Sequence, residues 1–386
     1  MLIVIGGGIA GTSAAIRAAQ ADLPVMLIEA GTYPRHKVCG EFLSPEAVNY
    51  FTTLGALPAI EAEQPARLTR VRVTSAAGGE WTGALTHTGA GLGLSRHKLD
   101  QLLIDRARAI GVHVVTGQKV TGVSGNLTEG FTVTMRGDSI RARAVIAAHG
   151  KRTALDRVLN RSFMAQPQPY VGLKARFRGA VRADTVDLHA FPGGYCGVSR
   201  IEAGLVNVCL LVRLETFKRR DSIPAFVQWM QRQNRHLMRF FATAEQVTGW
   251  LSISQVPFND HDKQPVEQDI LMVGDAAGMI VPLAGDGMSM ALHSGLLAAD
   301  HITRYLWGET DAATLKRLYT MAWREQFAAR IRLGRWLQAS LFRPPLLSAG
   351  LTLINAVPAL GQYFVRQMRA PAHPCPSQSS GKEICL

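Results

Sequence analysis

Short, uninterrupted runs of apolar residues recur along the chain and predict strands that are buried on both faces. Leu2–Ile5 is the first run, 25–28 is the second, and 144–148 and 270–273 follow much later in the sequence. Unbroken runs of this length are typical of parallel strands covered by helices on both sides. Residues 12–21 are rich in alanine and lack glycine and proline, so a helix is predicted between the first two strands.

A different pattern begins near residue 170, where apolar and polar positions alternate. Strand-like runs at 171–177, 185–191, 195–200 and 205–212 are separated by turns such as Pro192-Gly193-Gly194. This spacing predicts an antiparallel sheet rather than strand–helix–strand crossovers. Further elements are predicted as strands at 68–74, 80–85, 113–116, 120–124, 131–135 and 248–256, and as helices at 46–54, 97–110, 223–233, 288–305 and 312–339.

The turn after the first strand carries the first candidate chemistry. Gly6, Gly8 and Gly11 follow Leu2–Ile5 with the spacing G-x-G-x-x-G, and Glu29 ends the next strand. The first glycine permits a tight turn, the second lets a pyrophosphate approach the backbone, and the third lets helix and strand pack closely. An acidic residue after the second strand can accept hydrogen bonds from ribose hydroxyls. The motif predicts a dinucleotide site without distinguishing FAD from NAD.

A second motif lies 260 residues later, at 274–278, Pro282 and 285–287. A strand that ends in Gly274-Asp275 can place a carboxylate against polyol hydroxyls. The following helix begins near Gly287-Met288, so its N-terminus can face an electron-rich ring edge and stabilise negative charge there. The alternative that Asp275 only caps a helix stays open at this point.

The net charge and the cysteine content indicate which kinds of binding partner are expected. The net charge is +13, but no aromatic–basic interleaving or recognisable module indicates nucleic-acid binding. Basic residues are dense in the last third, which favours contact with an anionic membrane face over nucleic acid, beside the simpler option of a solvated basic surface. The five cysteines are scattered without metal-ligand spacing, so no metal site is predicted and a reducing cytoplasm is expected. Met1 abuts the first strand, so no cleavable signal is expected.

Together the two motifs resemble those of the FAD flavoproteins grouped with para-hydroxybenzoate hydroxylase. Within that group, Pro34-Arg35-His36-Lys37-Val38-Cys39-Gly40 is similar to the P-R-x-K-x-C-G loop of the geranylgeranyl reductase branch. Gly278 also matches that branch, because many hydroxylases carry a histidine there, and Ser294-Gly295 is similar too. The resemblance covers residues 1 to about 305.

The resemblance implies roles for particular residues. It places Cys39 close to the flavin and the substrate, although the plain alternative is a small buried hydrophobic residue. The implied cofactor contacts are Gly6, Gly8 and Gly11 at the pyrophosphate, Glu29 at the adenosine ribose, Arg35 and Arg96 near the phosphates, Gly274 and Asp275 at the ribityl-pyrophosphate portion, and Pro282, Gly287 and Met288 beside the isoalloxazine.

The predicted architecture is an α/β fold with a discontinuous, Rossmann-like FAD-binding domain. That domain comprises 1–75, 92–165 and 260–310, and an antiparallel-sheet substrate domain comprises 76–91 and 166–259. C-terminal helices are predicted over 311–370 and a disordered tail over 371–386.

One departure from the hydroxylases concerns the electron donor. His149 stands where they carry an aspartate of an Asp-Gly pair, although Lys151 and Arg152 could still meet a phosphate. Reduction by NAD(P)H is therefore one expectation, and a separate reductase or ferredoxin is the other.

The predicted activity is FAD-dependent reduction of a C=C bond by hydride transfer, on a large apolar molecule such as an isoprenoid or polyketide. The alternatives are hydroxylation through a flavin C4a-hydroperoxide, halogenation, and a flavoprotein without catalytic activity. Halogenation would be expected to show a Trp-x-Trp-x-Ile-Pro segment, which residues 250–257 resemble only distantly. Residues 344–365 contain no charge and predict either a helical cap over the pocket or an interfacial patch. The protein is expected in the cytoplasm, and the interfacial patch would associate it with a membrane. In the antiparallel sheet, half of a set of apolar residues on alternating faces are expected in the core and the remainder could line a pocket over the flavin. The set is Phe177, Leu188, Phe191, Tyr195, Val198, Val208 and Leu210.

Overall fold

The computed structural model describes residues 1–85, 89–166, 169–254, 256, 263–282 and 285–368. Its first sheet has six strands in the order β19-β20-β12-β1-β2-β8, all parallel except the β19–β20 pair. With strands numbered in chain order, these are β1 Leu2–Ile5, β2 Val25–Glu29, β8 His113–Thr116, β12 Ala144–Ala147, β19 Val266–Glu267 and β20 Ile270–Met272. The four apolar runs of the sequence thus become four central neighbours.

Helices cover this sheet and fix the site's glycine turn. They are α1 Ile9–Gln20, α2 Ala47–Thr53, α3 Leu57–Ala62, α4 Arg96–Ala109, α5 Ala154–Val158 and α9 Gly287–Leu306. Helices α1 and α9 approach closely, because a Cβ on Gly295 would lie only 2.4 Å from the carbonyl oxygen of Ala10. The two glycine motifs, which open α1 and precede α9, therefore meet at one edge of the sheet.

Two small three-stranded sheets flank this unit. One has the order β11-β10-β9, and the other has the order β3-β7-β4. Their bounds are β9 Val120–Asn126, β10 Gly130–Met135, β11 Asp138–Ala142, β3 Phe42–Leu43, β4 Ala66–Leu68 and β7 Gly91–Gly93. The predicted ribbon at 120–135 is present and gains a third strand, β11.

The antiparallel region forms an eight-stranded sheet in the order β17-β13-β16-β15-β14-β5-β6, with β18 also paired to β13. The strands are β5 Arg70–Thr74, β6 Glu80–Ala84, β13 Tyr170–Arg178, β14 Thr185–Phe191, β15 Gly194–Arg200, β16 Val206–Arg213, β17 Glu245–Gln246 and β18 Leu251–Ser254. Helices α6 Leu214–Phe217, α7 Ile223–Arg232 and α8 Arg235–Thr243 follow the sheet's central strands, and α7 and α8 pack on its outer face.

The sheet topology differs from the predicted division at one point. Residues 70–74 were expected within the first FAD-binding segment, but β5 pairs in parallel with β14 of the eight-stranded sheet. The register places Arg72 opposite Asp187, and the two form a buried, bidentate ion pair with Nε–Oδ1 and Nη2–Oδ2 distances of 2.6 and 2.9 Å. This pairing between distant parts of the chain holds β5 in that sheet.

Three helices close the described chain: α10 Ala312–Leu341, α11 Pro344–Ala356 and α12 Pro358–Gln367. Helix α10 packs along α9, and α11 and α12 contact β6. Among the described helices none alone has the length and apolarity to cross a membrane; α11 and α12 pass that test only as a pair, and they are bent by 112°. The predicted tail at 371–386 lies outside the described residues.

Candidate functional site

The glycine turn after β1 is held by close backbone contacts. Gly6 has φ +101°, and a Cβ there would lie 2.4 Å from the carbonyl oxygen of Ala148. A Cβ on Gly11 would lie 1.8 Å from the carbonyl oxygen of Gly6. Both positions therefore require glycine for packing, as the spacing predicted.

Glu29 is placed at the same turn by three polar partners. Its Oε2 accepts the N–H of Gly7 at 2.7 Å, its Oε1 accepts the N–H of Gly31 at 2.8 Å, and Arg35 forms a close ion pair with it. Burial alone would raise the pKa of Glu29, but the hydrogen bond and charge of Arg35, with the two N–H groups, lower it to about 2. The carboxylate is thus ionised and oriented, as an acceptor for ribose hydroxyls needs to be.

Beside this turn the structure gathers three cations around a gap. A Cβ on Gly8 would meet only Lys37 Nζ at 3.5 Å and Arg96 Nη2 at 4.0 Å. Arg35 Nη2 is buried and has no hydrogen-bond partner among the described residues. The N-terminus of α1 begins at this point and contributes free N–H groups. An open backbone face, an unpartnered guanidinium nitrogen and a helix N-terminus fit the pyrophosphate of FAD.

Lys37 is a phosphate candidate that the sequence prediction did not assign. Burial, followed by the positive charge of Arg96, lowers its pKa to about 8. A bound pyrophosphate would favour the charged form and raise that pKa again. Lys37 is therefore the member of the cluster whose charge depends on pH near neutrality.

This shift predicts a pH dependence of cofactor binding. Below pH 8 the Lys37 ammonium is charged with or without the cofactor, so FAD affinity should be flat. Above pH 8 the unliganded protein loses the proton that the complex retains, so affinity should fall by up to about tenfold per pH unit. Titrating protein depleted of FAD and following flavin fluorescence measures this. Lys37→Met should bind more weakly and lose the slope; an unchanged slope would contradict the assignment.

Arg96 begins α4 and is held in one orientation by Asp100. The guanidinium donates to both Asp100 oxygens at 2.6 and 2.8 Å, and the Arg96 N–H donates to Glu41 Oε1 at 2.8 Å. Ser95 caps the helix by accepting the N–H of Lys98. The predicted phosphate contact is thus positioned beside Gly8.

The loop that contains Cys39 is fixed by polar residues of the eight-stranded sheet. Asn207 of β16 donates to the carbonyl oxygens of Cys39 and Gly40 at 3.1 and 2.8 Å. Lys174 of β13 donates to the carbonyl oxygen of Lys37 at 3.2 Å and forms a close ion pair with Glu41. The sequence analysis did not predict these contacts of Lys174 and Asn207. A single polar residue inside an otherwise apolar strand, as in Val206–Arg213, was a signal that could have indicated a buried polar contact.

Cys39 lies at the meeting point of the two motifs. Its Sγ is 3.7 Å from Met288 Sδ, in the first turn of α9, and it accepts the N–H of Glu41 at 3.4 Å. Cys39 is partly exposed and Met288 is buried. The structure therefore brings together two residues, 249 positions apart, that were both predicted beside the flavin ring.

Asp275 has a carboxylate that is free for a ligand. It lies in the single turn Gly274–Ala276, whose N-cap is Val273, so Asp275 is not the helix cap of the simpler alternative. Its side chain makes no hydrogen bond or ion pair with the described residues and lines a small void together with Gly274 and Gly287. The Gly274 N–H donates to Ser294 Oγ at 2.9 Å, which fixes the turn. This geometry suits binding of ribityl hydroxyls.

A buried ion pair stabilises the N-terminus of α9. Asp286 is fully buried, accepts from Ser44 Oγ at 3.0 Å and pairs with Arg330 Nη1 at 2.5 Å. Gly287, the next residue, is exposed. Pro282 closes the preceding turn by accepting the N–H of Gly285 at 2.9 Å. The helix end therefore presents its positive dipole toward the predicted ring position.

Helix α10 also contributes to this site, which the resemblance over residues 1 to 305 did not indicate. A Cβ on Gly278 would lie 2.7 Å from the indole of Trp323, and Phe327 lines the void beside Asp275. The indole of Trp323 therefore packs directly against the backbone of Gly278. The glycine noted in the sequence as a departure from hydroxylases has a steric reason in the structure.

The side chain of His149 contacts a buried carboxylate, that of Asp156. Its Nε2 lies 2.9 Å from Asp156 Oδ1, and Asp156 also accepts the N–H of Thr153 at 2.7 Å and pairs with Arg161 at 3.0 Å. The histidine thus joins a buried capping network at α5.

Apolar side chains from the eight-stranded sheet, from the second motif and from α10 to α12 pack together in one buried cluster. Tyr195 and Phe342 have ring centroids 6.1 Å apart, and Met279 and Val281 come from the second motif. Of the pocket residues predicted in the sheet, Leu188 and Tyr195 belong to this cluster, whereas Phe177, Phe191, Val198, Val208 and Leu210 pack in the core beneath α7 and α8.

Comparison with known proteins agrees with this geometry. A family model described as an FAD binding domain matches residues 1–331. Menaquinone reductase from Mycobacterium tuberculosis is 25% identical over 383 residues, which cover 95% of this chain and 90% of that protein. Digeranylgeranylglycerophospholipid reductase 2 from Methanothermobacter thermautotrophicus is 27% identical over 92% of this chain and 90% of its own length.

Solved structures show the same fold. The flavin-dependent brominase Bmp2 has a TM-score of 0.78 at 19% identity, covering 95% of this chain and 92% of that one. A geranylgeranyl bacteriochlorophyll reductase-like protein from Thermoplasma acidophilum has a TM-score of 0.75 at 20% identity, covering 92% and 90%. The predicted α/β flavoprotein fold is confirmed. At sequence identities of 19 and 20%, the two structures support the fold and nothing more specific.

Proposed function

The chain belongs to the family of FAD-binding domain proteins, and from that premise we propose that it reduces a carbon–carbon double bond in a large, mostly apolar, isoprenoid- or polyketide-like molecule. The chain is an FAD-dependent oxidoreductase of the same superfamily as the reductases named above. The observation that carries the finer proposal is the contact between Cys39 Sγ and Met288 Sδ at the start of α9. This contact supports the proposal, because Met288 is one of the residues predicted beside the isoalloxazine.

The apolar cluster formed by the eight-stranded sheet and the C-terminal helices supports an apolar substrate. It includes Leu188, Tyr195 and Phe342, and Met279 and Val281 connect it with the second motif. The two reductases matched over nine-tenths of this chain are named for menaquinone and for a digeranylgeranylglycerophospholipid. A substrate with a long apolar chain suits both observations.

The chain's own residues would act as follows. FAD, when bound, supplies the hydride. Gly8, Lys37 and Arg96 hold the pyrophosphate, and Asp275 holds the ribityl hydroxyls. The N-terminus of α9 stabilises negative charge at the ring edge.

Proton delivery would come from the Cys39 loop. Asn207 and Lys174 fix this loop from the sheet side, so that the thiol stays at the ring end of the site. Cys39 Sγ can hold a proton there for the substrate carbon that does not receive the hydride.

An anaerobic single-turnover experiment tests the reaction class. The holoenzyme is reduced chemically, so that the result does not depend on whether the donor is NAD(P)H, a reductase or a ferredoxin. Menaquinone or a digeranylgeranyl lipid is then added in detergent. The expected result is reoxidised flavin and, without oxygen, a product with one carbon–carbon double bond fewer in its chain, which stays heavier by two hydrogens after any quinol has been reoxidised to the quinone. A product that forms only with oxygen and carries a hydroxyl or halogen would replace the proposal.

Cys39→Ala should leave FAD content unchanged and slow substrate-dependent reoxidation by at least about tenfold. Cys196→Ala is the matched control, because Cys196 is fully buried in the core beneath α7 and α8. Equal rates in the Cys39 variant and the wild type would return Cys39 to a packing role.

A further inference from the structure

A cluster of large apolar side chains is exposed on the C-terminal helices, and we infer that it docks this protein onto an anionic lipid bilayer. The docking surface consists of Trp336 on α10, Leu346 and Leu353 on α11, Val357 at the bend, and Tyr363 on α12. Their exposed fractions are 58, 50, 54, 48 and 54%. Five of the twelve large hydrophobic side chains exposed in the described chain thus fall within 28 residues. Apolar clusters of this kind mark interaction sites.

Members of the docking surface lie close to one another on each helix and between α10 and α12. Trp336 and Tyr363 both lie beside Phe364, at ring-centroid distances of 6.0 and 5.9 Å. Leu346 and Leu353 are seven positions apart, which places them on the same side of α11. Helices α10 and α12 thus contribute adjoining aromatic side chains, and α11 adds two leucines on one side.

The opposite side of α11 and α12 is anchored to the sheet. Leu351 is buried, Asn355 Nδ2 donates to the carbonyl oxygen of Glu80, and Gln362 Nε2 donates to that of Ala84, both at 2.9 Å. A Cβ on Gly361 would lie 2.5 Å from Ile354 and 2.6 Å from Trp81. The helices are thus held in place, and their apolar outer side is presented to the surroundings without any rearrangement.

Charge and aromatic content identify the partner as lipid. Residues 344–365 contain no charged side chain, and exposed Arg332, Arg343 and Arg366 flank the docking surface. Arginines beside an apolar face, with tryptophan and tyrosine among the exposed residues, are the pattern of helices that lie in a bilayer interface. The 112° bend lets both helices lie along one surface.

A second copy of the chain is the competing occupant, and the same charges disfavour it. A two-fold contact through this surface would bring the arginines of both copies together, and like charges repel. Anionic headgroups would instead neutralise them.

Docking through these helices would also bring a buried apolar cluster of the protein next to the membrane. Leu347 and Val365, from the same two helices, pack against the cluster that contains Tyr195 and Phe342. An apolar substrate could then pass from lipid to protein without crossing water. The docking itself rests on the surface alone and would hold for any reaction class.

Vesicle co-sedimentation of the full-length holoenzyme tests the inference. We expect binding to phosphatidylcholine vesicles that contain phosphatidylglycerol at low salt, and weaker binding to pure phosphatidylcholine or at high salt. The variant Trp336→Ser/Leu353→Ser/Tyr363→Ser should bind at least about tenfold more weakly. Trp307→Ser is the matched control, because Trp307 is 54% exposed but lies at the end of α9, and it should bind like the wild type.

Three outcomes would overturn the inference. They are no binding to anionic vesicles at low salt, equal binding by the triple variant, and a lipid-free dimer that the triple variant dissociates, which would assign the surface to a second copy. FAD content and turnover of a detergent-dispersed substrate should stay normal in the triple variant, which separates a docking defect from misfolding. If turnover fails in every variant while vesicle binding follows the expected order, the docking stands and the proposed reaction falls.

Discussion

Arg330→Met should destabilise the folded protein by about 3–5 kcal/mol. Methionine keeps much of the apolar stem but removes the guanidinium that lies 2.5 Å from Asp286 Oδ2. Asp286 is fully buried, so its carboxylate would lose its cationic partner in a place where water cannot replace it. Helix α10 would also lose an ion pair that ties it to the N-terminus of α9. Urea unfolding followed by tryptophan fluorescence measures the change.

Two variants make this test specific. Arg332→Met lies on the same helix, two residues further on, but Arg332 is exposed, so the change should stay within about 0.5 kcal/mol. Arg330→Met combined with Asp286→Asn removes both charges and should regain most of the lost stability. Similar unfolding midpoints for Arg330→Met and Arg332→Met would show that the buried pair does not hold α10 in place.

Gly8→Ala should leave the fold intact and weaken FAD binding by about a hundredfold or more. Gly8 has φ −78°, which alanine adopts readily, and its nearest neighbour would be Lys37 Nζ at an ordinary 3.5 Å. The new methyl group would occupy the space through which the pyrophosphate must reach the backbone N–H groups of α1. Flavin content after purification and fluorescence titration of the apoprotein measure the effect.

The neighbouring glycines supply the controls. Gly40→Ala lies in the adjacent loop, where a Cβ would have no neighbour within 4 Å, and it should keep FAD affinity. Gly11→Ala should fail to fold, because its Cβ would lie 1.8 Å from the carbonyl oxygen of Gly6. Normal FAD affinity in Gly8→Ala would show that the pyrophosphate does not bind at this turn.

Much of the fold follows from local sequence patterns. The buried runs at Leu2–Ile5 and Ala144–Ala147 could be recognised because their apolar character is continuous, and the structure makes them hydrogen-bonded neighbours. Strand β5 was harder to place, because its alternation is compatible with either sheet. The deciding contact, Arg72 with Asp187, joins residues 115 positions apart and has no local signature. Strands as short as Phe42–Leu43 are too brief to show any period.

The residues of the candidate site also differ in whether local sequence or distant contacts determine their roles. Gly6, Gly11 and Glu29 could be predicted because the dinucleotide motif is contained in one strand–turn–helix unit. Lys174 and Asn207 stand out in the sequence as polar residues within apolar strands, but their partners could not be predicted. Arg330 has the same appearance in sequence as the exposed arginines of its helix. Their roles depend on elements that meet only in the folded chain, such as β13 with the Cys39 loop and α10 with Asp286.

The packing of Trp323 on Gly278 has a consequence for anyone who exchanges active-site residues between this protein and its hydroxylating relatives. A histidine at position 278 would force the Trp323 indole to move, since even a methyl group there would lie 2.7 Å from it. We therefore expect the two positions to be changed as a pair, with a smaller side chain at 323. Natural sequences should follow the same rule, so that bulk at one position predicts its loss at the other, and an alignment could then sort related enzymes by this pair before any of them is assayed.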